Sequence, residues 1–137
     1  MIIGYAFVVA DLLHIGHLNF FKKCKEYCDF LIVGVYKDEL AASYKRKPII
    51  PFVERIELVA ALKQVSMVIP VYSKDCTPAL KLLTEKMGLK ISFVFHGGAW
   101  TFTEGGLEYM DRIGARVRIL PYYKGRSTTD IIAKIRG

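Results

Sequence analysis

Apolar residues along the chain fall into short continuous runs that alternate with segments of helical spacing. The first run spans residues 2–9 and has no polar alternation, which is typical of a strand buried on both faces of a sheet. Further runs of the same kind occur at residues 30–35, 67–71, 91–95 and 117–120. The pattern therefore predicts five short, buried strands.

Helical spacing predicts five helices between and after these strands. In residues 18–27, Phe20, Phe21 and Cys24 share one side, as expected for a helix that packs on a sheet. In residues 53–63, the same spacing predicts that Ala60 faces the core and that Arg55 faces the solvent. The remaining helices are predicted at residues 78–87, 104–113 and 129–135, with Gly88 and Gly114 as C-terminal caps.

Strands that alternate with helices predict a parallel sheet covered by helices on both faces. The chain shows no repeat, linker or low-complexity segment, so residues 1–137 are predicted to form a single Rossmann-like α/β domain with a five-stranded parallel sheet. In such sheets ligands bind beyond the carboxyl ends of the strands, where the strand order reverses. The segments that follow the first, fourth and fifth strands are therefore the candidate site.

Composition narrows the class of protein. Lys and Arg together number 20 against 13 Asp and Glu, which gives a net charge of +7 and is compatible with nucleic acid, an anionic membrane or a phosphorylated small molecule as partner. A hydrophobic fraction of 53% excludes disorder. The apolar stretch at residues 1–9 is too short to span a bilayer and lacks a basic leader, so we expect neither membrane association nor a signal peptide. Cys24, Cys28 and Cys76 fit no disulfide or zinc framework, which favours reduced thiols in a cytoplasmic protein.

Two histidines follow the first strand and open a helix. His14 and His17 lie three residues apart, with Gly16 before the second. The free N–H groups and the dipole of a helix N-terminus favour a phosphate, and Gly16 would allow a close approach of ligand to backbone. The imidazoles are then placed to donate hydrogen bonds to phosphate oxygens as charge develops. A buried core histidine beside a solvated one is the alternative interpretation.

Two further segments carry polar chemistry. Ser127, Thr128 and Thr129 precede the last predicted helix, where their hydroxyls suit a triphosphate and also suit a simple N-cap. Residues 43–48 form a cationic loop, which taken alone is typical of a solvated surface. The aromatic residues after the fourth strand are compatible both with stacking on a ligand and with packing beneath a loop.

The segment His14-Ile15-Gly16-His17 resembles the His-x-Gly-His signature of a nucleotidyltransferase superfamily, and Ser127-Thr128-Thr129 is similar to the Ser-Thr-Thr motif of its cytidylyltransferases. The resemblance extends over nearly the whole chain. It is strongest to phosphonate-associated and glycerol-3-phosphate cytidylyltransferases. Residues 48–62 and 96–98 also resemble heptose-phosphate adenylyltransferases.

The resemblance implies catalytic roles for His14, His17 and Lys45, the last being the best match for a lysine that closes on the α- and β-phosphates. It implies nucleotide contacts from Val9, Ala10, Asp11, Gly16, Arg46, His96, Gly97, Arg126, Ser127, Thr128 and Thr129. It implies substrate contacts from Arg55, Trp100 and Tyr122. It also implies Mg²⁺ bound with the nucleotide, and a homodimer with residues 63–68 near its interface.

The sequence departs from the family pattern at three places. Val8-Val9-Ala10 replaces a glycine-containing segment, Gly98-Ala99 replaces two acidic residues, and Tyr122 stands where an arginine is common. The implied reaction is transfer of CMP from CTP to a small phosphorylated or phosphonate acceptor, with release of pyrophosphate. The alternatives are an adenylyltransferase that uses ATP on a sugar phosphate, a catalytically degenerate nucleotide-binding protein, and a nucleic-acid-binding module. The last is disfavoured because the basic residues form no continuous stripe interleaved with aromatic residues.

Overall fold

Five strands pair in parallel within the residues that the structure, a computed structural model, describes: 1–98, 105–121 and 125–137. The strands are β1 (Ile3–Val8), β2 (Phe30–Tyr36), β3 (Met67–Val71), β4 (Ile91–His96) and β5 (Arg116–Ile119). All five predicted strands are confirmed, with ends that differ from the prediction by at most one residue.

The strand order is β3-β2-β1-β4-β5, so the chain builds outward from β1 to β3 and then returns past β1 to β4. The β1–β2 register runs from Ile3 opposite Phe30 to Val8 opposite Val35. On its other side β1 pairs with β4, and the strand order reverses between these two central strands. A crevice at the carboxyl ends of β1 and β4 is therefore the place at which this topology favours a ligand.

Helices cover both faces of the sheet. They are α1 (Ile15–Lys25), α2 (Asp38–Ala42), α3 (Phe52–Ala60), α4 (Thr77–Lys81) with a following π-helical turn (Leu82–Lys86), α5 (Leu107–Ile113) and α6 (Thr128–Arg136). One core cluster joins α1 and α3 to the sheet through residues such as Phe21 and Val59. The other joins α4 and α5 through residues such as Leu80 and Met110. These two clusters confirm the Rossmann-like α/β class.

Two predicted burial patterns are wrong. Arg55, expected outside, is 0% exposed, whereas Ala60, expected inside, is exposed. Periodicity misplaces Arg55 because a buried guanidinium needs distant hydrogen-bond acceptors that hydropathy does not reveal. β5, predicted to be buried on both faces, is an edge strand with Arg116, Arg118 and Ile119 exposed.

The five-residue helix α2 and the π-helical turn after α4 have no counterpart in the prediction. A helix as short as α2 completes too few turns to show an apolar period. The helix predicted at residues 104–113 begins at Leu107, and Glu104 lies outside the described residues. Across the described ranges no helix combines the length and the hydropathy needed to cross a bilayer.

Candidate active site

A cavity of about 530 Å³ opens at the carboxyl ends of β1 and β4, where the topology favours a ligand. Every described residue predicted for the site lines this cavity except Arg55. The predicted residues that line it are Val9, Ala10, Asp11, His14, Gly16, His17, Lys45, Arg46, His96, Gly97, Arg126, Ser127, Thr128 and Thr129. Trp100 and Tyr122 lie outside the described residues. Segments from distant parts of the chain therefore meet at one cavity.

The two histidines at the start of α1 hold each other in a fixed arrangement. The Gly16 N–H donates to Nδ1 of His14 at 3.0 Å, and the His14 N–H donates to Nδ1 of His17 at 3.1 Å. The ring centroids are 4.0 Å apart. Because Nδ1 is an acceptor in both rings, the neutral imidazoles carry their proton on Nε2. Each ring thus keeps an Nε2–H donor that is free of its role in capping the helix.

Both histidines are held in the neutral form. Burial lowers the pKa of His17 to about 4; protonation of His14 and the charge on Lys45 also act to lower it, while Asp11 opposes the shift. Burial, and then the charge on Arg126, lower the pKa of His14. At neutral pH the pair consequently offers hydrogen-bond donors rather than fixed positive charges.

Position 16 requires a glycine because neighbouring protein atoms leave no space for a Cβ. A Cβ at this position would lie 2.7 Å from Cε1 of His14 and 3.0 Å from the Arg126 carbonyl oxygen. The expected role of Gly16, room for a ligand near the backbone, therefore has a second physical basis. The missing side chain lets the His14 ring cap the helix and lets the segment before α6 pack against α1.

Asp11 connects three segments of the site through hydrogen bonds. Its carboxylate accepts N–H bonds from Ile49 and Ile50, each at 2.9 Å, and its carbonyl accepts the Thr128 hydroxyl at 2.8 Å. The residues on either side, Ala10 and Leu12, have φ values of 59° and 48°, a left-handed conformation that costs roughly 1–2 kcal/mol for a residue with a Cβ. Through these contacts Asp11 orders the turn that follows β1.

Ser127 is the N-cap of α6. Its hydroxyl oxygen accepts the Asp130 N–H at 3.1 Å, which confirms the N-cap interpretation of the Ser-Thr-Thr segment. The Thr128 hydroxyl is engaged by Asp11, and Thr129 also lines the cavity. The start of α6, with the N–H groups that a first helical turn leaves without intrahelical partners, faces the same space as the histidines.

The lining is strongly cationic. Its described residues include Lys45, Arg46, Lys74 and Arg126, whereas Asp11 is their single carboxylate. Burial and the neighbouring Arg46 lower the pKa of Lys45, with Asp11 opposing the shift. Nε of Arg46 is buried and has no hydrogen-bond partner among the described residues. A cavity of this composition is suited to a polyanion.

Arg55 lies behind the cavity. Its guanidinium donates to the carbonyls of Val9 and Ile50 and forms an ion pair with Asp38 at 2.7 Å. Burial raises the pKa of Asp38, but the hydrogen bond and the charge from Arg55, together with the Phe52 N–H, lower it further than burial raises it. The structure therefore connects Arg55 to the backbone of the site at Val9 rather than to the space that a ligand would fill.

Residues 8–134 match the family model described as cytidylyltransferase-like. The chain belongs to this family.

Two curated relatives of the cytidylyltransferase-like chain illustrate the range of its similarity. The bifunctional protein HldE of Geobacter metallireducens is 36% identical over 129 residues, which cover 91% of this chain and 25% of that protein. The ethanolamine-phosphate cytidylyltransferase of Mus musculus is 31% identical, over 91% of this chain and 30% of that protein. The chain thus spans between a quarter and a third of the length of these relatives.

A solved structure covers nearly the same length. The lipopolysaccharide core biosynthesis protein of Thermoplasma volcanium GSS1 has a TM-score of 0.68 and 27% identity, over 92% of this chain and 99% of that one. The NadR protein, at 18% identity and a TM-score of 0.55, shows the shared fold alone.

Sequence reasoning missed one side of this cytidylyltransferase-like site. Phe7, Tyr36, Tyr44 and Lys74 also line the cavity. Phe7 and Tyr36 lie at or near the carboxyl ends of β1 and β2, so their strand positions are a signal that identifies them. Lys74 follows β3, an edge strand, and no motif marks it. His96, which was predicted, has Nδ1 in contact with the backbone of Gly98, 2.6 Å from its carbonyl oxygen.

Proposed function

We propose that the chain transfers CMP from CTP to a small phosphorylated or phosphonate acceptor, with release of pyrophosphate. One observation carries the proposal: the His-x-Gly-His pair, the cationic loop and the start of α6 converge on one cavity. The reaction needs donors for developing charge on phosphorus, cations for a triphosphate and a helix N-terminus for its distal phosphates.

In the proposed reaction an acceptor oxygen attacks the α-phosphorus of CTP in line, and the bond from that phosphorus to the bridging oxygen of the β-phosphate breaks. Pyrophosphate leaves with the electron pair of that bond. The acceptor oxygen is already anionic, so positioning and charge stabilisation supply the catalysis. His14 and His17 donate Nε2–H bonds to the α-phosphate oxygens. Lys45 and Arg46 neutralise the α- and β-phosphates, and Ser127–Thr129 hold the β- and γ-phosphates.

Arg55 and Asp11 act as positioning residues in this proposal. Asp11 fixes the backbone just after Lys45 and Arg46 through the N–H groups of Ile49 and Ile50. Arg55 fixes Val9, which precedes Asp11 at the carboxyl end of β1. Neither side chain needs to touch the nucleotide, because each sets the path of a backbone segment that carries a contacting residue.

Mg²⁺ enters the proposal with the nucleotide. The described residues contain no group of three or more His, Cys, Asp or Glu side chains able to hold a metal ion, and the Asp11 carboxylate already accepts two backbone N–H bonds. The donor set of the protein therefore does not fit a resident metal site. We propose that Mg²⁺ is held by phosphate oxygens and water, as is usual for its triphosphate complexes.

A second candidate is an adenylyltransferase that uses ATP on a sugar phosphate. It is favoured by the resemblance of residues 48–62 and 96–98 to heptose-phosphate adenylyltransferases. Similarity to a protein of lipopolysaccharide core biosynthesis favours a sugar phosphate as its acceptor. The phosphate-binding residues and the reaction at the α-phosphorus are the same in both candidates.

The deciding experiment measures pyrophosphate release from CTP, ATP, GTP and UTP with Mg²⁺ and a panel of small phosphate and phosphonate acceptors. We expect release from CTP with at least one acceptor, and release from ATP alone would establish the second candidate instead. Thermal unfolding with each nucleotide tests binding separately, since a ligand at a hundred times its Kd stabilises the fold by about 2.7 kcal/mol. Stabilisation without release from any nucleotide would identify a degenerate nucleotide-binding protein.

The cationic loop offers a matched pair of variants for this assay. Lys45 and Lys47 are both exposed, but Lys45 lines the cavity and Lys47, two residues away, does not. We expect Lys45→Ala to lower kcat/KM by about 100-fold or more, because a cation close to the transferring phosphate is lost. Lys47→Ala should retain activity within about twofold, and equal losses in the two variants would reject the proposed role of Lys45.

Family resemblance also leads us to propose a cytoplasmic homodimer with residues 63–68 near its interface. Within the protomer, Ser66 pairs with Leu31: its hydroxyl oxygen accepts the Leu31 N–H at 3.1 Å, and its own N–H donates to the Leu31 carbonyl at 2.8 Å. Light scattering on the purified protein tests the assembly, and a monomeric mass at micromolar concentration would reject it.

A further inference from the structure

A row of aromatic rings crosses the carboxyl edge of the sheet and lines one side of the cavity. His96 contacts Phe7 at 5.4 Å between ring centroids, Phe7 stacks on Tyr36 at 6.2 Å, and Tyr36 meets Tyr44 edge-on at 6.1 Å. These four side chains, which we term the aromatic row, all line the cavity. They form a largely apolar wall that runs from β4 across β1 and β2 to the cationic loop.

Lys74 ends the aromatic row. Its Nζ lies 4.1 Å from the centroid of the Tyr44 ring, and the side chain is half-buried at the cavity wall. The loop that carries it is braced from within, since the Asp75 N–H donates to the Ser73 hydroxyl oxygen at 3.2 Å and Asp75 Oδ1 accepts the Thr77 N–H at 2.8 Å. An ammonium has three N–H donors, so a ring face on one side leaves donors for a ligand.

The aromatic row and the histidine pair belong to opposite faces of the sheet. Phe7 and Tyr36 are part of the core cluster that contains α4 and α5, whereas Phe20, on the helix of the histidines, is part of the other cluster. The cavity therefore has two ends. If the triphosphate occupies the histidine end, as the proposed function requires, the end formed by the row and Lys74 is left for the acceptor.

The charges at this second end restrict the acceptor. Lys74 joins Lys45 and Arg46 in the lining, and within the described lining the single carboxylate, Asp11, is 4% exposed and accepts two backbone N–H bonds. An acceptor with an ammonium group would meet like charges there without a described carboxylate to pair with. An acceptor whose body is uncharged would instead place carbon atoms on the rings and its anionic group between Lys74 and Lys45, where its oxygen can reach the α-phosphorus.

We propose that Lys74, supported by the face of Tyr44, binds the anionic group of the acceptor, and that this acceptor is a phosphate or phosphonate whose remaining part is uncharged rather than an amino compound. The proposal rests on the proposed function for the location of the nucleotide. It separates this chain from the ethanolamine-phosphate cytidylyltransferase to which it is similar.

Calorimetric titration tests the proposal without turnover. The protein is saturated with the α,β-methylene analogue of CTP, or of ATP, and titrated with glycerol 3-phosphate, glucose 1-phosphate and ethanolamine phosphate. We expect at least one of the first two to bind at least tenfold more tightly than ethanolamine phosphate. Lys74→Ala should weaken that binding by about tenfold or more, as expected for loss of a charge-assisted hydrogen bond. The matched control is Lys90→Ala, an exposed lysine at the amino end of β4, which should change nothing.

Two further variants separate charge from structure. Tyr44→Phe keeps the ring beneath Lys74 and should bind the acceptor as the unaltered protein does, whereas Tyr44→Leu removes the ring and should weaken binding severalfold. Lys74→Glu should reverse the preference toward ethanolamine phosphate. In all of these variants the Kd of the nucleotide analogue should stay within about twofold, because Lys74 is assigned to the acceptor.

Tighter binding of ethanolamine phosphate by the unaltered protein would overturn the inference, as would a Lys74→Ala effect confined to the nucleotide. Absence of binding by all three phosphates would overturn it as well. Failure of the proposed function would give a different result. The acceptors would bind with the predicted preference, but no triphosphate would release pyrophosphate.

Discussion

At His17 the two ring nitrogens have separable tasks. Nδ1 accepts the His14 N–H, while Nε2 is assigned to the phosphates. His17→Asn keeps an acceptor near the Nδ1 position and removes Nε2, so we expect kcat to fall about 100-fold while the melting temperature changes by less than a few degrees. Pyrophosphate release and thermal unfolding measure the two effects.

His17→Ala is the matched comparison, because it removes the capping acceptor as well. It should lose a similar amount of activity and, in addition, about 1 kcal/mol of stability, the usual contribution of an N-terminal capping interaction. Equal stability of the Asn and Ala variants would show that the Nδ1 bond does not hold the helix start.

Gly16→Ala should reverse the usual effect of this substitution. In most helical positions alanine is favoured over glycine by up to about 1 kcal/mol. Here the new Cβ would lie 2.7 Å from the His14 ring and 3.0 Å from the Arg126 carbonyl. We therefore expect a loss of about 1–3 kcal/mol in urea unfolding and a displaced His14 with impaired catalysis. Lys22→Ala, exposed on the same helix, is the control and should be neutral; a stabilised Gly16→Ala variant would contradict the packing argument.

At the scale of elements, Arg55 joins α3 to the end of β1 and to the start of α2. Removing it leaves the Val9 and Ile50 carbonyls and Asp38 without this donor. We expect Arg55→Ala to lower the free energy of unfolding by about 3–5 kcal/mol in urea titrations. Arg55→Lys should recover little, since one ammonium cannot replace a planar group that reaches three acceptors.

Glu54→Ala provides the control for Arg55, because Glu54 is exposed on the same turn of α3 and should contribute less than about 0.5 kcal/mol. Stability of Arg55→Ala equal to that of the control would show that the guanidinium contacts do not hold these elements together.

The elements that sequence predicted well are those whose signal is local. Strand runs such as Met67–Val71 and the apolar side of α1 depend on neighbouring residues alone, and the structure confirms both. Arg55 was misplaced because its partners lie up to 46 positions away, and α2 was missed because five residues give no period. The site follows the same rule: motifs marked the histidines and Ser127, whereas Lys74 becomes a site residue only through the packing of its loop against Tyr44.

For the whole molecule, the buried neutral histidines make stability depend on pH. The pKa of His17 is lowered from 6.5 to about 4, so between these values the unfolded chain binds more protons and acidification favours unfolding. Above about pH 6.5, His17 should not reduce the free energy of unfolding. At pH 5 the free energy of unfolding should be about 2 kcal/mol lower than its value above pH 6.5. The pKa of Asp38 is lowered from 3.8, so protonation of Asp38 reduces the free energy of unfolding only at pH values below this range.

Urea titrations at pH 5 and pH 8 measure this difference, and His17→Asn is the control because it removes the titrating ring. The variant should show a much smaller difference between the two pH values, with the remainder contributed by His14. A difference that is unchanged in the variant would assign the pH dependence to other groups.

The helix α6 contains no buried residue, yet it supplies Ser127, Thr128 and Thr129 to the cavity and reaches Asp11 across 117 positions of sequence. Elements with so little buried surface open at low free-energy cost while the rest of a fold stays intact. Each such opening removes one wall of the site without unfolding the sheet. Under the proposed function, nucleotide affinity thus includes the free energy of keeping α6 closed. The rate at which this helix opens then sets an upper limit on how long a ligand held only by the closed form can stay bound.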